Sequence, residues 1–203
     1  MKNGAHEKEL ILASASPRRH EILTLAGFAH RVLTAPADEH EIALVPGHEK
    51  EGVIALARLK NRALREQLSP HGAVVLSADT IVCAGGAQGV LGKPKDPADA
   101  ARMLRLLSGR EHTVLTGVSI CDTESGEETA FAEETAVRFR ELSDTEIARY
   151  VESGDPLDKA GAYGYQSGAC VFVEGIRGDY FNVVGLPVCR VAVELAKFGI
   201  LPR

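Results

Sequence analysis

Hydroxyl and basic side chains follow directly after the first apolar run of the chain. The run is Leu10–Ala13, and the residues that follow it include Ser14, Ser16, Pro17, Arg18 and Arg19. Ser16 suits the N-cap of a helix and Pro17 its first position, so the amide groups of the first turn would point outward beside the two arginines. Amide groups at the positive end of a helix dipole and guanidinium groups together can hold phosphate. The alternative is a capped helix with two solvated arginines, and this stretch alone favours neither.

Charged residues further along the chain could complete such a site. Lys60 and Lys93, together with the arginines, could neutralise a triphosphate. Glu39 and Asp79 could hold a divalent cation or activate a water molecule. Asp79 follows an apolar run typical of a buried strand, where a carboxylate is costly unless it is paired, protonated or bound to metal. We therefore interpret Asp79 as a functional residue.

Each of the other charged residues also has a structural interpretation. Lys93 could be a solvated lysine at a sheet edge, and Lys60 could extend from an amphipathic helix into solvent. Glu39 lies between Asp38 and His40, with Glu41 beyond, and such an acidic cluster is often only a solvated loop. The assignment of these three residues therefore depends on whether the fold brings them to Asp79.

The apolar periodicity predicts strands and helices that alternate along the chain. Strands are predicted near residues 10–13, 30–33, 74–83, 90–94, 112–121, 129–139, 170–173 and 180–184. Helices are predicted after Ser16, over 52–67, from Pro97 to about 108, from Ser143 to about 154 and from Pro187 to about 198. This pattern, with at least two hairpins, predicts an α/β fold with a mixed sheet flanked by helices.

Composition limits the class of protein. The 203 residues predict a single domain, 1–203, with residues 1–8 as a flexible N-terminus. The net charge of −5 argues against a general binder of nucleic acids or anionic membranes. No signal sequence or membrane span is apparent, so we expect a cytoplasmic protein. The four cysteines lack metal-binding spacing and are predicted to be reduced and mostly buried: Cys83, Cys121, Cys170 and Cys189.

Four short motifs occur in an order that resembles a known family. They are Ser14–Arg19, Ala78–Thr80, Gly92–Pro94 and Gly185–Pro187. In this order they resemble the Maf family of nucleoside triphosphate pyrophosphatases, and the resemblance runs from Leu10 to about residue 199. It implies an elongated α/β fold like that of inosine triphosphate pyrophosphatases, with a cleft along the sheet. It also implies Mg²⁺- or Mn²⁺-dependent hydrolysis between the α and β phosphates, and a homodimer is an expectation from related structures.

The segment from Asp158 to Gln166 is similar to the branch of the family that acts on dTTP and UTP. By that resemblance Asp79 carries over as the proton acceptor, and Arg18, Thr80 and Gln166 carry over as positions that set base preference. A glutamine offers both a donor and an acceptor, which suits the edge of thymine or uracil. The structural alternative for Gln166 is a loop side chain bonded to its own backbone.

The resemblance thus predicts a pyrophosphatase for dTTP, UTP and modified pyrimidine nucleotides that sanitises the nucleotide pool. The alternatives are a pyrophosphatase for 7-methyl-GTP or for inosine and xanthosine triphosphates, and a non-catalytic regulator of septum formation. Two departures from the family pattern affect single positions. Glu39 and Glu41 compete for the role of the acidic loop residue, and Asn61 follows Lys60 where the family has alanine.

Overall fold

The computed structural model describes residues 8–68, 72–85 and 89–203. Within these ranges there are seven strands and six α-helices, joined in places by 3₁₀ turns. The strands are β1 (Glu9–Ala13), β2 (Arg31–Leu33), β3 (Ala73–Cys83), β4 (Val90–Leu91), β5 (Glu111–Asp122), β6 (Glu128–Phe139) and β7 (Val173–Arg177). The helices are α1 (Pro17–Leu25), α2 (Glu49–Arg65), α3 (Pro97–Leu107), α4 (Asp144–Glu152), α5 (Tyr180–Val184) and α6 (Val188–Lys197).

The strands form one mixed sheet in the order β2-β1-β3-β5-β6-β7, with β4 paired to the far end of β3. β1 is parallel to β2 and β3, whereas the β3–β5, β5–β6 and β6–β7 pairs are antiparallel. Helices flank this sheet, which confirms the predicted α/β class. The predicted N-terminal segment 1–8 lies outside the described residues except for Lys8, as does part of the predicted turn between β3 and β4.

One edge of β3 is shared between two strands. Residues Ala73–Leu76 pair with β1, and Val82 and Cys83 pair with β4. On its other edge β3 pairs with β5 from Val74 to Cys83. Within the described ranges, residues 77–81 therefore have no strand partner on the β1 side. This gap exposes the middle of a central strand at the point where Asp79 lies.

Helix α2 lies close against the sheet because β5 carries a glycine beneath it. A Cβ atom at Gly117 would lie 2.3 Å from the carbonyl oxygen of Val53 in α2, far inside contact distance. Gly117 is paired with Asp79 across the β3–β5 ladder. In the same helix, buried Asn61 donates hydrogen bonds to the carbonyl oxygens of Val75 (2.8 Å) and Ser119 (3.1 Å). These bonds bind α2 to both strands and give a structural reason for an asparagine beside Lys60.

Two large apolar clusters pack the remaining helices. One joins α1 and α6 to β1, β3 and β5, with Leu23, Leu76 and Leu195 fully buried. The other joins α3 and α4 to the ends of β5 and β6 around Phe139, which is also fully buried. α3 and α4 begin as predicted, since Asp96 caps α3 and Ser143 forms a capping box with Glu146. None of the helices in the described ranges is long and apolar enough to cross a membrane.

Two of the predicted strands are wrong. Residues Gly168–Phe172 form a 3₁₀ turn, and the strand begins only at Val173. The run Tyr180–Val184 is helix α5, although its aromatic and β-branched residues favour a strand. The Asp179 carboxylate accepts the Phe181 amide at 2.8 Å and starts this helix, and Gly185 ends it with a φ of +123°. Local capping thus outweighs intrinsic propensity.

The prediction for the cysteines is only partly right. All four are free thiols, but Cys121 alone is fully buried, Cys83 is half-buried, and Cys170 and Cys189 are exposed. The two exposed residues lie on the 3₁₀ turn before β7 and on the outer face of α6. Burial raises the pKa of the Cys83 thiol to about 11. That thiol therefore stays protonated at neutral pH and is a poor nucleophile.

Candidate functional site

A cleft of about 670 Å³ opens at the gap in the β3 edge. Its walls come from the β1–α1 connection, α2, β3, the residues after β4 and the irregular segment before β7. All nine predicted site residues line it: Ser14, Arg18, Arg19, Glu39, Lys60, Asp79, Thr80, Lys93 and Gln166. We name two parts of this cleft. The strand end is formed by Ser14, Arg19, Lys60, Asp79 and Thr80, and the loop end is formed by residues 155–167.

Arg19 ties three elements together at the strand end. Its guanidinium donates to the Ser14 hydroxyl at 3.0 Å, the Thr80 hydroxyl at 3.1 Å and the Gly185 carbonyl at 2.8 Å. Burial lowers the pKa of Arg19, and the nearby Asp79 charge opposes that shift. The guanidinium keeps its charge, because an arginine loses its proton only far above neutral pH. The result is a positive charge held rigidly against the floor of the cleft.

The start of α1 differs from the predicted capping arrangement. Ser16 occupies the N-cap position, but its side chain makes no capping hydrogen bond. Instead the hydroxyl of Ser14, which is 8% exposed, accepts the Ser16 amide at 3.2 Å and the Arg19 bond described above. The predicted cap by Ser16 is therefore wrong in mechanism, although the helix begins where expected. Ser14 fixes the residue before the helix and the Arg19 side chain together.

Lys60 joins the two carboxylates of the site. Its Nζ contacts Asp79 Oδ1 and lies 2.9 Å from Glu39 Oε1. The Asp79 side chain is 13% exposed and that of Glu39 56%, so the pair combines one sheltered and one accessible carboxylate. Glu41 lies 3.9 Å from Arg62 and does not line the cleft. The structure thus places Glu39, rather than Glu41, beside Asp79.

The Thr80 hydroxyl belongs to a directed chain of hydrogen bonds. Thr116 donates to the carbonyl oxygen of Asn182 at 3.1 Å, so its own oxygen accepts the Thr80 hydrogen at 3.0 Å. Thr80 in turn accepts from Arg19. The Thr80 hydroxyl hydrogen is therefore already donated to Thr116, and only a lone pair remains for a ligand. Thr80 can accept a hydrogen bond in the cleft but cannot donate one.

Lys159 holds the loop end together, a role that its sequence context does not predict. Its side chain is 10% exposed, and its Nζ donates to the Asp155 carbonyl (2.6 Å), the Asp155 carboxylate (3.0 Å) and the Asp158 carboxylate (2.7 Å). A Cβ atom at Gly164 would lie 2.5 Å from Lys159 Cε, so a glycine is needed where the lysine passes. Asp158 also lies 3.7 Å from Arg18, which links this end to α1.

Asp155 receives further hydrogen bonds from the same loop. Tyr150 and Ser167 donate to its carboxylate at 2.5 and 2.6 Å, and the Gly164 amide donates to the Tyr150 hydroxyl at 3.2 Å. Burial raises the pKa of Asp155, but the bonds from Ser167, Tyr150 and Lys159 outweigh it and lower the pKa overall. The closely spaced Asp155, Asp158 and Lys159 are a signal for such a charged network. Sequence alone does not show that the lysine points inward.

His112 and Tyr163 anchor the middle of the loop end to β5. Their Nε2 and hydroxyl groups lie 2.8 Å apart, while Nδ1 of His112 has no hydrogen-bond partner among the described residues. Burial lowers the pKa of His112 to about 4, so the imidazole is neutral near pH 7. The preceding Ala162 has a φ of +61° and is the non-glycine residue of the described chain with positive φ. Such strain indicates that surrounding contacts fix the loop tightly. Gln166, later in the same loop, is exposed and lines the cleft.

The site offers a limited donor set for a cation. In the part of the chain that the structure describes, no group of three histidine, cysteine, aspartate or glutamate residues is arranged to hold a metal ion. Glu39 and Asp79 are the two carboxylates that share Lys60 in the cleft. Mg²⁺ is commonly bound through one or two carboxylates, with phosphate oxygens and water as the other ligands. The donor set therefore fits Mg²⁺ or Mn²⁺ bound together with a phosphate ligand.

Comparison with known proteins gives a consistent result. A family model described as Maf-like protein matches residues 9–198. A protein of Bacillus pumilus named dTTP/UTP pyrophosphatase is 49% identical over 194 residues, covering 96% of this chain and 98% of the relative. Proteins with the same name from Moorella thermoacetica and Thermococcus gammatolerans are 48% and 49% identical, covering 95% and 94% of this chain and 96% of each relative.

Proposed function

This chain belongs to the Maf-like protein family, and we propose that it hydrolyses dTTP and UTP to the nucleoside monophosphate and pyrophosphate. The names of its relatives, which span nearly the whole chain, support this substrate class. The observation that carries the proposal is the strand end of the cleft. There a sheltered carboxylate, Asp79, lies beside the Lys60 ammonium and near the fixed guanidinium of Arg19. An acidic and a basic group in one cleft are what a phosphoanhydride hydrolase needs.

Asp79 is proposed to accept the proton of the water that attacks the α phosphorus. A general base must lie within hydrogen-bond reach of that water, and the open edge of β3 gives Asp79 access to the cleft. Lys60 contacts the carboxylate and restricts its orientation. The side chain therefore needs little reorganisation before it takes up the proton.

The cationic side chains would stabilise the charge that develops on the leaving pyrophosphate. Arg19 is fixed by its three protein acceptors, whereas Lys93 is exposed and free to follow the phosphates. In the described part of the chain, Arg18 has one ion-pair contact, at 3.7 Å with Asp158, so it can turn towards a ligand at little cost. The fixed charge of Arg19 thus orients the phosphates, and the movable charges of Lys93 and Arg18 can close around the substrate.

We propose Glu39 and Asp79 as the residues that would hold a divalent cation. When bound, Mg²⁺ or Mn²⁺ would supply positive charge to the phosphate oxygens. Lys60 lies between the two carboxylates and keeps their charges compensated before the substrate arrives. The ammonium can then pass from the carboxylates to a phosphate oxygen, because its flexible stem allows that movement.

Base preference is assigned to the loop end. Gln166 is exposed and lines the cleft, so both its amide donor and its carbonyl acceptor are available to the edge of uracil or thymine. A base that leaves this donor and acceptor without hydrogen-bond partners is strongly disfavoured. Thr80 and Arg18 line the same cleft from β3 and α1, and Thr80 can act there only as an acceptor.

The direct test is an assay of purified protein with Mg²⁺ and a panel of nucleoside triphosphates, with the products separated by chromatography. We expect pyrophosphate with dTMP and UMP, and little release from purine substrates. Asp79→Asn should lower kcat by about 1,000-fold or more while the melting temperature stays close to that of the wild type. Asp144→Asn is the matched control, since Asp144 is 80% exposed and does not line the cleft.

Two results would contradict the proposal. Release of orthophosphate instead of pyrophosphate would show attack at a different phosphorus. Activity of Asp79→Asn close to that of Asp144→Asn would show that another group accepts the proton. A metal titration after chelation, followed by isothermal calorimetry of Glu39→Gln, tests the cation assignment without relying on turnover.

A further inference from the structure

Three aromatic rings form a row between the apolar core and the cleft. Phe181 and Tyr180 pack against the core cluster of α1 and α6, and their ring centroids lie 5.3 Å apart. The centroid of Tyr165 lies 5.2 Å from that of Tyr180, with an angle of 68° between the ring planes. Tyr165 also lines the cleft and is partly exposed. The row therefore ends on a supported ring that a ligand can reach.

The hydroxyl of Tyr165 does not explain its position. Within the described ranges no hydrogen bond joins that hydroxyl to the rest of the chain, whereas the hydroxyls of Tyr150 and Tyr163 are both bonded. Tyr180 is the one aromatic ring of the described residues that contacts it, through an inclined, edge-type packing. That geometry supports the ring on one side and leaves further aromatic surface uncovered.

The surroundings of Tyr165 indicate what chemistry would meet this ring. It precedes Gln166, which also lines the cleft, and both belong to the loop end held by Lys159. Two charged residues suited to phosphate, Arg19 and Lys60, lie instead at the strand end, whereas Arg18 lies 3.7 Å from Asp158 of the loop end. A nucleotide with its phosphates at the strand end would extend its base towards the loop end. A flat, partly exposed ring at that place is suited to stacking.

We propose that Tyr165 is the platform on which the base of the substrate stacks, an inference that rests on the proposed function. Stacking on an aromatic ring tolerates any base, because every base has a π face. Tyr165 therefore supplies affinity for the nucleoside, and Gln166 supplies the choice between bases. One residue thus provides affinity and its neighbour provides selectivity. Loss of the ring therefore weakens the binding of all nucleotides by a similar factor.

The chain is suited to a direct optical test, because it contains no tryptophan and four tyrosines. The probe is the non-hydrolysable analogue α,β-imido-dUTP with Mg²⁺, and inorganic tripolyphosphate is the probe for the phosphates alone. We expect the analogue to quench tyrosine fluorescence in the wild type. In Tyr165→Phe its affinity should stay within about twofold, because phenylalanine also stacks, while most of the quenching disappears.

Tyr165→Leu removes the aromatic face and keeps an apolar side chain. Its affinity for the analogue should fall by about 5- to 30-fold, while its affinity for tripolyphosphate stays unchanged. The ratio of kcat/KM for UTP over CTP should also stay unchanged, since the polar selection by Gln166 is intact. Melting temperatures of the three proteins check that the fold is retained, and Tyr165→Phe tests the proposal even if the leucine variant is unstable.

Each contrary result has a distinct meaning. Unchanged analogue binding in Tyr165→Leu, undiminished quenching in Tyr165→Phe, or an equal loss of tripolyphosphate affinity would overturn the stacking role. In those cases the wild type still hydrolyses dTTP, so the proposed function stands. If the wild type neither binds the analogue nor hydrolyses any nucleoside triphosphate, both proposals are wrong.

Discussion

The strand end and the loop end of the cleft hold their polar groups by different means. At the strand end, Asp79 and Thr80 lie on a strand whose ladder with β5 runs from Val74 to Cys83. At the loop end, 3₁₀ turns replace strands, and the order comes from side chains gathered around Asp155 and Lys159. Backbone pairing tolerates many changes of side chain, whereas a buried charge network fails when one member is lost. The substitutions below test this difference.

The largest loss of stability at pH 7 is expected from Lys159→Met. The change leaves Asp155, whose side chain is 26% exposed, without its charged partner, whereas Asp158 is 67% exposed and loses little. The free energy of unfolding should therefore fall by about 2 kcal/mol. Urea denaturation at pH 7 measures the loss. Lys197→Met is the control, because its ammonium pairs with Glu194 on the surface and is 59% exposed. Equal losses in the two variants would show that charge does not hold the loop end.

Arg19→Lys should break the strand end functionally. The guanidinium reaches Ser14, Thr80 and Gly185 from three different nitrogens, whereas the donors of an ammonium all lie on one atom. Ser14 and Thr80 would therefore lose their fixed positions. We expect kcat/KM for dTTP to fall by about 100-fold, which is the scale of a misplacement near 1 Å. Steady-state kinetics provide the measurement, with Arg102→Lys on the exposed face of α3 as control. A tenfold smaller change would show that Arg19 acts only as a diffuse charge.

The anchor of the loop end should make stability depend on pH. The folded pKa of His112 is lowered to about 4, below that of the unfolded chain, so the unfolded state binds more protons between these values. The free energy of unfolding should therefore decrease as pH falls from about 6.5 towards 4, by about 2 kcal/mol at pH 5. Urea denaturation of the wild type and His112→Gln at several pH values isolates this contribution. Parallel pH curves for the two proteins would contradict the assignment.

The smallest effect sharpens the comparison at α1. Ser14→Ala removes the acceptor for the Ser16 amide and for Arg19, and should cost about 1 kcal/mol of stability. Ser16→Ala is the matched control and should change stability little, since that side chain makes no capping bond. Thermal denaturation of both variants shows which one loses more stability. A larger loss of stability for Ser16→Ala would show that Ser16 caps the helix as the sequence predicts.

The strand end was predictable because its signals are local and its partners follow from the sheet. The apolar run before Asp79 predicts a buried strand, and the break after β1 predicts the start of α1. The choice between Glu39 and Glu41 was not predictable, because it depends on which carboxylate the 3₁₀ turn directs towards Lys60. That direction is set by packing between distant segments, not by residue type.

The loop end was less predictable for a related reason. Its polar residues read as an ordinary glycine-rich loop, and the role of Lys159 appears only when Gly164 leaves room for its side chain. Likewise, Tyr180 and its apolar neighbours predict a strand until Asp179 and Gly185 are recognised as the caps of a single helical turn. In both places a few local contacts override the average preference of the sequence, so only coordinates reveal the outcome.

The shared edge of β3 also bears on the order in which the protein folds. β5 and β6 are joined by a short turn and pair locally, whereas β1 reaches β3 only after the whole of α2 has been placed between them. Pairings between distant segments are entropically costly and form late. Ser14 and Arg19 should therefore join Asp79 only after the β5–β6 hairpin has formed, so that chains folded only that far carry no assembled site.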